Sequence, residues 1–190
     1  MSDAGGQQGG GRYATSASAL VGAMLVIVGL VVLVVVVRSF LRADADQGPP
    51  QPVEYLDLVQ GLQQNDFQVV YPRTLPDGWI VTEVRPQFGD RPSVGINLYT
   101  DDESFVGIRQ EDASVDDMLQ KYVDKNPDTE APLTGVVGLS DTWDGWSDSG
   151  GDHAYSTQVG EDTVLAFGDV PADELAVLVA ALTTDPVPVG

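Results

Sequence analysis

Four aspartates, Asp141, Asp144, Asp148 and Asp152, follow one another at short spacing in a stretch rich in glycine and serine. Carboxylate oxygens in such a stretch are hard ligands and can wrap a cation such as Ca²⁺. They are the metal-ligand candidates of this chain. Their order lacks the Asp-x-Asp-x-Asp-Gly pattern of an EF-hand, and in so acidic a chain close carboxylates also arise from composition alone. Hydrolytic triads pair a nucleophile with a histidine, and His153 is the only histidine, with no cysteine in the chain. It follows the turn Asp148-Ser-Gly-Gly-Asp and reads as a solvated turn residue. No serine lies in a Gly-x-Ser-x-Gly context, and no glycine-rich phosphate loop precedes a helix. The sequence therefore assigns no catalytic and no cofactor-binding residue, and the chain reads as non-enzymatic.

Trp79, Trp143 and Trp146 carry ring faces and polar edges suited to a glycan or peptide groove. Core packing is the stronger reading. Along a regular strand Trp143 and Trp146 point to opposite faces, so at most one of them is exposed, while Trp79 follows a turn and plugs one end of a core.

The elements that position these residues are readable from periodicity and turn chemistry. Glu54 to Asn65 sets Tyr55, Leu56, Val59 and Leu62 at helical spacing, and Phe67 to Tyr71 follows as a strand stopped by Pro72. Leu75-Pro-Asp-Gly-Trp79 is a tight crossing loop that feeds a strand from Trp79 to Arg85. Ser93 to Thr100 and Ser104 to Glu111 form a hairpin around Asp101-Asp102-Glu103. Ser114 caps a helix with Asp116 and Asp117 in its first turn, Met118, Leu119, Tyr122 and Val123 on its buried stripe, and Pro127 beyond its end. Gly135 to Leu139, Thr142 to Trp146, Ala154 to Val159 and Thr163 to Gly168 read as strands, the last two a hairpin. A closing helix begins near Pro171 and turns Leu175, Leu178, Val179 and Leu182 inward. Strand runs broken by about three helices predict an α+β domain with a mainly antiparallel sheet.

Ahead of that domain lies an apolar run from Ala17 to Val37, with no charged side chain between Arg12 and Arg38. Its 21 residues, helical at about 1.5 Å each, extend about 31 Å, the thickness of a hydrocarbon core. Fourteen of the 18 residues from Leu20 to Val37 are branched aliphatics, which favours insertion by about 4 to 8 kcal/mol. The run is predicted to be one transmembrane helix. Ala43-Asp-Ala45 resembles a signal cleavage site, but the run is longer than a signal core and Arg38 and Arg42 suit a stop, so an uncleaved anchor is the better reading. Flanking positive charge is nearly balanced. A lone span ahead of a Pro-rich linker and a Lys/Arg-poor domain fits a cytoplasmic N-terminus and an extracytoplasmic domain. Within the span, Ser18-x3-Gly22 offers a small-residue patch for homodimerisation.

The predicted layout is a disordered tail over 1–16, the span over 17–37, a Pro-rich juxtamembrane linker over 38–52, the α+β domain over 53–185 and a short tail over 186–190. After position 42 there are 28 acidic and 6 basic residues, a net charge of −22. Such a field repels phosphates and anionic headgroups, which excludes a nucleic-acid partner and leaves cations or basic partners open.

In its order and spacing the chain resembles the DUF4245 family, single-pass membrane proteins of actinobacteria with unknown function. The likeness rests on the N-terminal span, Pro72 with Leu75-Pro-Asp-Gly-Trp79, the Gly138-x4-Trp143 segment, and the Thr163-to-Gly168 strand followed by Ala172-Asp-Glu-Leu175. The resemblance implies an actinobacterial envelope protein and supplies no activity or catalytic residue. The expected function is a membrane-anchored interaction or ligand-binding module meeting an envelope protein or ligand. The alternative is an envelope enzyme or a Ca²⁺-dependent protein that uses dispersed carboxylates.

Overall fold

Alternation decides the centre of the fold. In Ser93–Tyr99 every second side chain, Val94, Ile96 and Leu98, is buried, and Phe105–Glu111 buries Val106 and Ile108 on the same side. The computed structural model describes residues 51–188. Helix α1 (Tyr55–Gln63) leads to the short β1 (Tyr71–Pro72), then β2 (Ile80–Gln87), β3 (Ser93–Tyr99) and β4 (Phe105–Glu111). Helix α2 (Val115–Tyr122) crosses to β5 (Asp128–Thr134), β6 (Thr142–Ser147), β7 (His153–Val159) and β8 (Asp162–Gly168). Helix α3 (Ala172–Ala180) and β9 (Leu182–Thr183) close the described chain.

The large sheet runs β2-β3-β4-β8-β7-β6-β5, and every neighbouring pair is antiparallel. It consists of two meanders, β2 to β4 and β5 to β8, joined edge to edge where β4 meets β8. The α+β class with a mainly antiparallel sheet and three helices is as expected. One face packs Val94, Ile96, Val106, Ile108 and Val164 against Val59 of α1 and Leu175 and Leu178 of α3. The opposite face carries a smaller cluster in which Met118 and Leu119 of α2 cover Leu165, Phe167 and Ala154. Each face is thus sealed by helices whose apolar stripes the sequence spaced for burial. The Ser114 hydroxyl accepts the Asp117 N–H at 3.1 Å, and Lys121 stands in the last turn of α2, so both ends of its dipole are matched.

Two expectations are corrected. The strand foreseen over Phe67 to Tyr71 is reduced to Tyr71–Pro72, which pairs with Leu182–Thr183 near the end of the chain. Its upstream residues are held by a side chain instead, since Val70 donates its N–H to Gln110 Oε1 at 2.8 Å. Gly135 to Leu139 is a loop, with Gly135 and Gly138 at φ +71° and +141° and Val137 exposed. The strand lies just before it, Asp128–Thr134, disguised by Pro132, a bulge between Glu130 and Leu133, and a mostly exposed pattern. Those features suit an edge, because proline and bulges blunt further pairing. The predicted tail, span and linker up to residue 50 lie outside the described residues, as do Ser18 and Gly22. Among the described residues no helix is long and apolar enough to cross a membrane.

Gly168 sits in mid-sheet, opposite Val106 on one side and His153 on the other. A Cβ there would lie 2.4 Å from the Phe105 carbonyl oxygen and 3.0 Å from Val106 Cα, both backbone atoms that cannot turn aside. Gly168→Ala is expected to lower stability by about 2 to 3 kcal/mol, read as a reduced urea midpoint at unchanged slope. An unshifted midpoint would show that the strands can separate freely there.

Candidate functional site

The four candidate aspartates are spread over the loop before β6, β6 itself and the turn between β6 and β7. Asp148 Oδ1 accepts the N–H groups of Gly150, Gly151 and Asp152 at 2.7, 2.8 and 2.9 Å, and the Asp148 N–H donates to the Asp152 carbonyl at 3.0 Å. One carboxylate oxygen of Asp148 is thus spent on closing its own turn. Asp144 stands exposed on β6 opposite Ser156, and Asp141 is exposed in the preceding loop. Among the described residues no group of three or more histidines, cysteines or acids is placed to hold a metal ion. The short spacing follows the turn and does not assemble a ligand set.

Asp152 is half-buried, and burial, with Asp148 and Asp169 nearby, raises its carboxyl above the ordinary value of 3.8. A raised acid favours its protonated form in the fold, so its charge opposes folding above that raised value, and the opposition fades as pH falls. Asp152→Asn is expected to raise the unfolding temperature at pH 7, with the gain over wild type shrinking at pH 3.5. A gain independent of pH would assign the effect to something other than this charge.

His153 is not a turn residue. It opens β7 opposite Ser147 and Gly168, and its Nδ1 lies 3.0 Å from Glu130 Oε2 on β5, both groups half-buried. The contact spans β6 and clasps the last strands of the sheet.

The tryptophans divide as alternation requires. Trp143 is wholly buried in the larger core, and its Nε1 has no hydrogen-bond partner among the described residues. Trp146 joins the cluster on the opposite face and donates Nε1–H to Ser156 Oγ at 2.9 Å. Trp79 ends the turn that its own N–H closes on the Pro76 carbonyl at 3.1 Å, with Gly78 at φ +80°. Trp79 is 7% exposed, and its indole makes no hydrogen bond among the described residues.

Beside that indole is a hollow of about 310 Å³. Three separate segments line it: Pro76, Asp77 and Trp79; Asp101 and Asp102 from the β3–β4 turn; and Glu174 and Val177 from the start and outer side of α3. Asp101 packs so closely on the Gly78 backbone that a Cβ there would meet its carboxyl carbon at 3.0 Å. Among the described residues four carboxylates and no lysine or arginine line it, with the mostly buried indole at its edge, so the charge of the seat suits an organic cation. Asp and Trp were visible as residue types, but their meeting was not, because it depends on how the two meanders and α3 come together.

A second arrangement escaped sequence reasoning altogether. On the α2 side of the first meander, Arg85 Nε contacts Glu83 Oε1 at 2.5 Å, and Glu83 Oε2 accepts from Asn97 Nδ2 at 2.9 Å. Asn97 Oδ1 in turn accepts from Arg109 Nη2 at 2.8 Å. Arg109 also donates Nη1 to the carbonyls of Ile96 and Ile108, and its guanidinium lies 5.1 Å and 5.4 Å from the ring centroids of Tyr122 and Phe167. Burial pulls Arg109 below its ordinary pKa while Tyr122 and Glu111 oppose the shift. Three of its five N–H donors are spent on the fold and its guanidinium is packed between rings, so the ladder stitches β2, β3, β4 and α2.

The model of a family described as a protein family of unknown function, DUF4245, matches residues 12–182 of the chain. No curated protein and no solved structure matches it.

Proposed function

The chain belongs to the DUF4245 family of proteins of unknown function, and from that premise we propose that it is a single-pass, membrane-anchored, non-enzymatic interaction module of the cell envelope. Its N-terminus lies in the cytoplasm, and its acidic α+β domain faces outward and engages cationic partners. The observation that carries the partner class is the hollow beside Trp79, walled by four carboxylates and an indole with no base among its lining residues. The net charge of −22 after position 42 extends the same preference over distance, drawing cations in and repelling anions. The apolar run over 17–37 supplies the anchor, and the family match includes it, which supports reading run and domain as parts of one design.

The test uses the full chain in phosphatidylcholine nanodiscs and a fluorescein-labelled octalysine. Binding is expected to be saturable, to weaken with salt, and to fall by about tenfold in the exposed triple variant Asp101→Asn/Asp102→Asn/Glu174→Gln. Equal binding by the triple variant, or equal binding of octaglutamate, would remove the hollow as the site.

A further inference from the structure

The chain enters the domain along one edge of the large sheet. Val53 donates its N–H to the Val81 carbonyl at 2.9 Å, and β2 is the outermost strand on that side. Between Val53 and Val37, where the apolar run ends, lie the 15 residues 38 to 52. Fully extended they reach about 50 Å. A bilayer that holds the run is therefore always within reach of β2.

That edge carries an apolar patch. Val84 and Pro86 of β2, with Leu58, Gly61 and Leu62 of α1, line a groove of about 200 Å³, and Asp57 is the one charged residue lining it among the described residues. Leu58 is 49% exposed at its rim. Phe88 comes two residues after Pro86, on the same side by alternation, and is 71% exposed while it leans edge-to-face on Phe67 at 6.0 Å. A Cβ added at Gly61 would meet nothing within 4 Å, so this side of α1 is bare.

The charge around Phe88 departs from that of the domain. Arg85 and Arg91, two of the six bases after position 42, flank it with side chains 66% and 76% exposed. Glu83, Asp90 and Asp112 offset them, so the rim is near neutral in a domain of net charge −22.

We propose that this β2–α1 edge rests on the surface of the bilayer beside the anchor, with Phe88 and Leu58 entering the interfacial layer of zwitterionic lipid. The proposal rests on reading 17–37 as a membrane anchor. Apolar side chains flanked by arginines suit that depth, the ring and the leucine lying among acyl carbons while the guanidinium groups stay with the headgroup phosphates. Two such side chains hold a free domain on a bilayer only weakly, but a short tether makes the contact intramolecular and raises its effective concentration. The tether ends on the strand that carries the patch, which favours the bilayer over a second copy as the cover. The patch shares no lining residue with the hollow beside Trp79, so this docking can fail while cation binding there stands.

The chain has no cysteine, so a single introduced one takes a reporter cleanly. The experiment places the fluorophore NBD on Gln87→Cys, exposed at the end of β2 beside Phe88, and, as a control, on Val137→Cys, exposed in the loop between β5 and β6 at the far edge of the sheet. Each full chain is set in phosphatidylcholine nanodiscs containing doxyl-labelled phosphatidylcholine. Emission from position 87 is expected to be bluer and quenched at least about twofold more than emission from position 137, and Leu58→Ser/Phe88→Ser is expected to bring it down to the control. Both substituted side chains are exposed, and an unchanged thermal melt confirms that the variant folds. Equal quenching at the two positions, or quenching at 87 that survives the double variant, overturns the docking and leaves the anchor standing. A chain that does not enter the nanodiscs overturns both. A blue shift at 87 without lipid quenching also overturns the proposal, by making a second copy the cover.

Discussion

Trp143→Ala is expected to cost about 3 to 5 kcal/mol, a large part of the 5 to 15 kcal/mol that holds an average domain together. The indole is completely buried in the larger core, on β6 opposite Leu133, and its loss leaves a cavity that a seven-stranded sheet has little freedom to close. The same residue carries an internal control. Its Nε1 lacks a partner among the described residues, so the native fold already bears the desolvation of that N–H, and phenylalanine removes the unpaired donor while keeping most of the ring. Trp143→Phe should therefore cost less than half of what alanine costs in urea unfolding. Equal losses would mean that the indole N–H is satisfied in solution, for example by a buried water.

Gln110→Leu is expected to cost about 2 to 4 kcal/mol, more than its modest change of shape suggests. Gln110 is buried on β4, accepts the Val70 N–H at 2.8 Å, and donates to the Gln68 carbonyl and to Asp162 Oδ2, each at 2.8 Å. Leucine keeps the volume and strands the buried Val70 N–H, which costs about 1 to 3 kcal/mol unpaired, while the loss at the exposed Gln68 and at Asp162 adds about 1 kcal/mol. The effect should be local as well as global. Hydrogen exchange at the Val70 amide, protected in the wild type by a side chain alone, should accelerate beyond what the lower global stability explains. Protection that falls only in step with the global loss would contradict this role for Gln110.

Gln110 also marks where sequence reasoning stops. The hairpin around Asp101 to Glu103, the Ser114-capped helix and the opposite facing of Trp143 and Trp146 all follow from local rules, and all are present. Those rules act within a few residues, through turn chemistry, capping and alternation. The segment from Phe67 to Val70 shows the contrary case. Its apolar run reads as a strand, yet the Phe67 N–H returns to the Leu62 carbonyl, and the Gln68 carbonyl and Val70 N–H are taken by one distant glutamine, a tertiary choice with no local signature. The edge strand Asp128–Thr134 was hidden because edge protection takes the form of proline, polar residues and a bulge, the same signs that mark a loop. At the candidate site, the close sequence spacing of Asp141 to Asp152 suggested a ligand set, while the structure draws Asp77, Asp101, Asp102 and Glu174 around Trp79 from three distant segments.

Which partners the acidic domain can meet depends on the side of the membrane it faces. The direct measurement is protease digestion of intact and permeabilised cells, followed with an antibody to the C-terminus and a cytoplasmic marker that must survive in the intact sample. An outward-facing domain predicts loss of the C-terminal epitope in intact cells while the marker persists. Protection of the epitope until the cells are permeabilised would contradict it, and would turn the hollow beside Trp79 toward the cytoplasm.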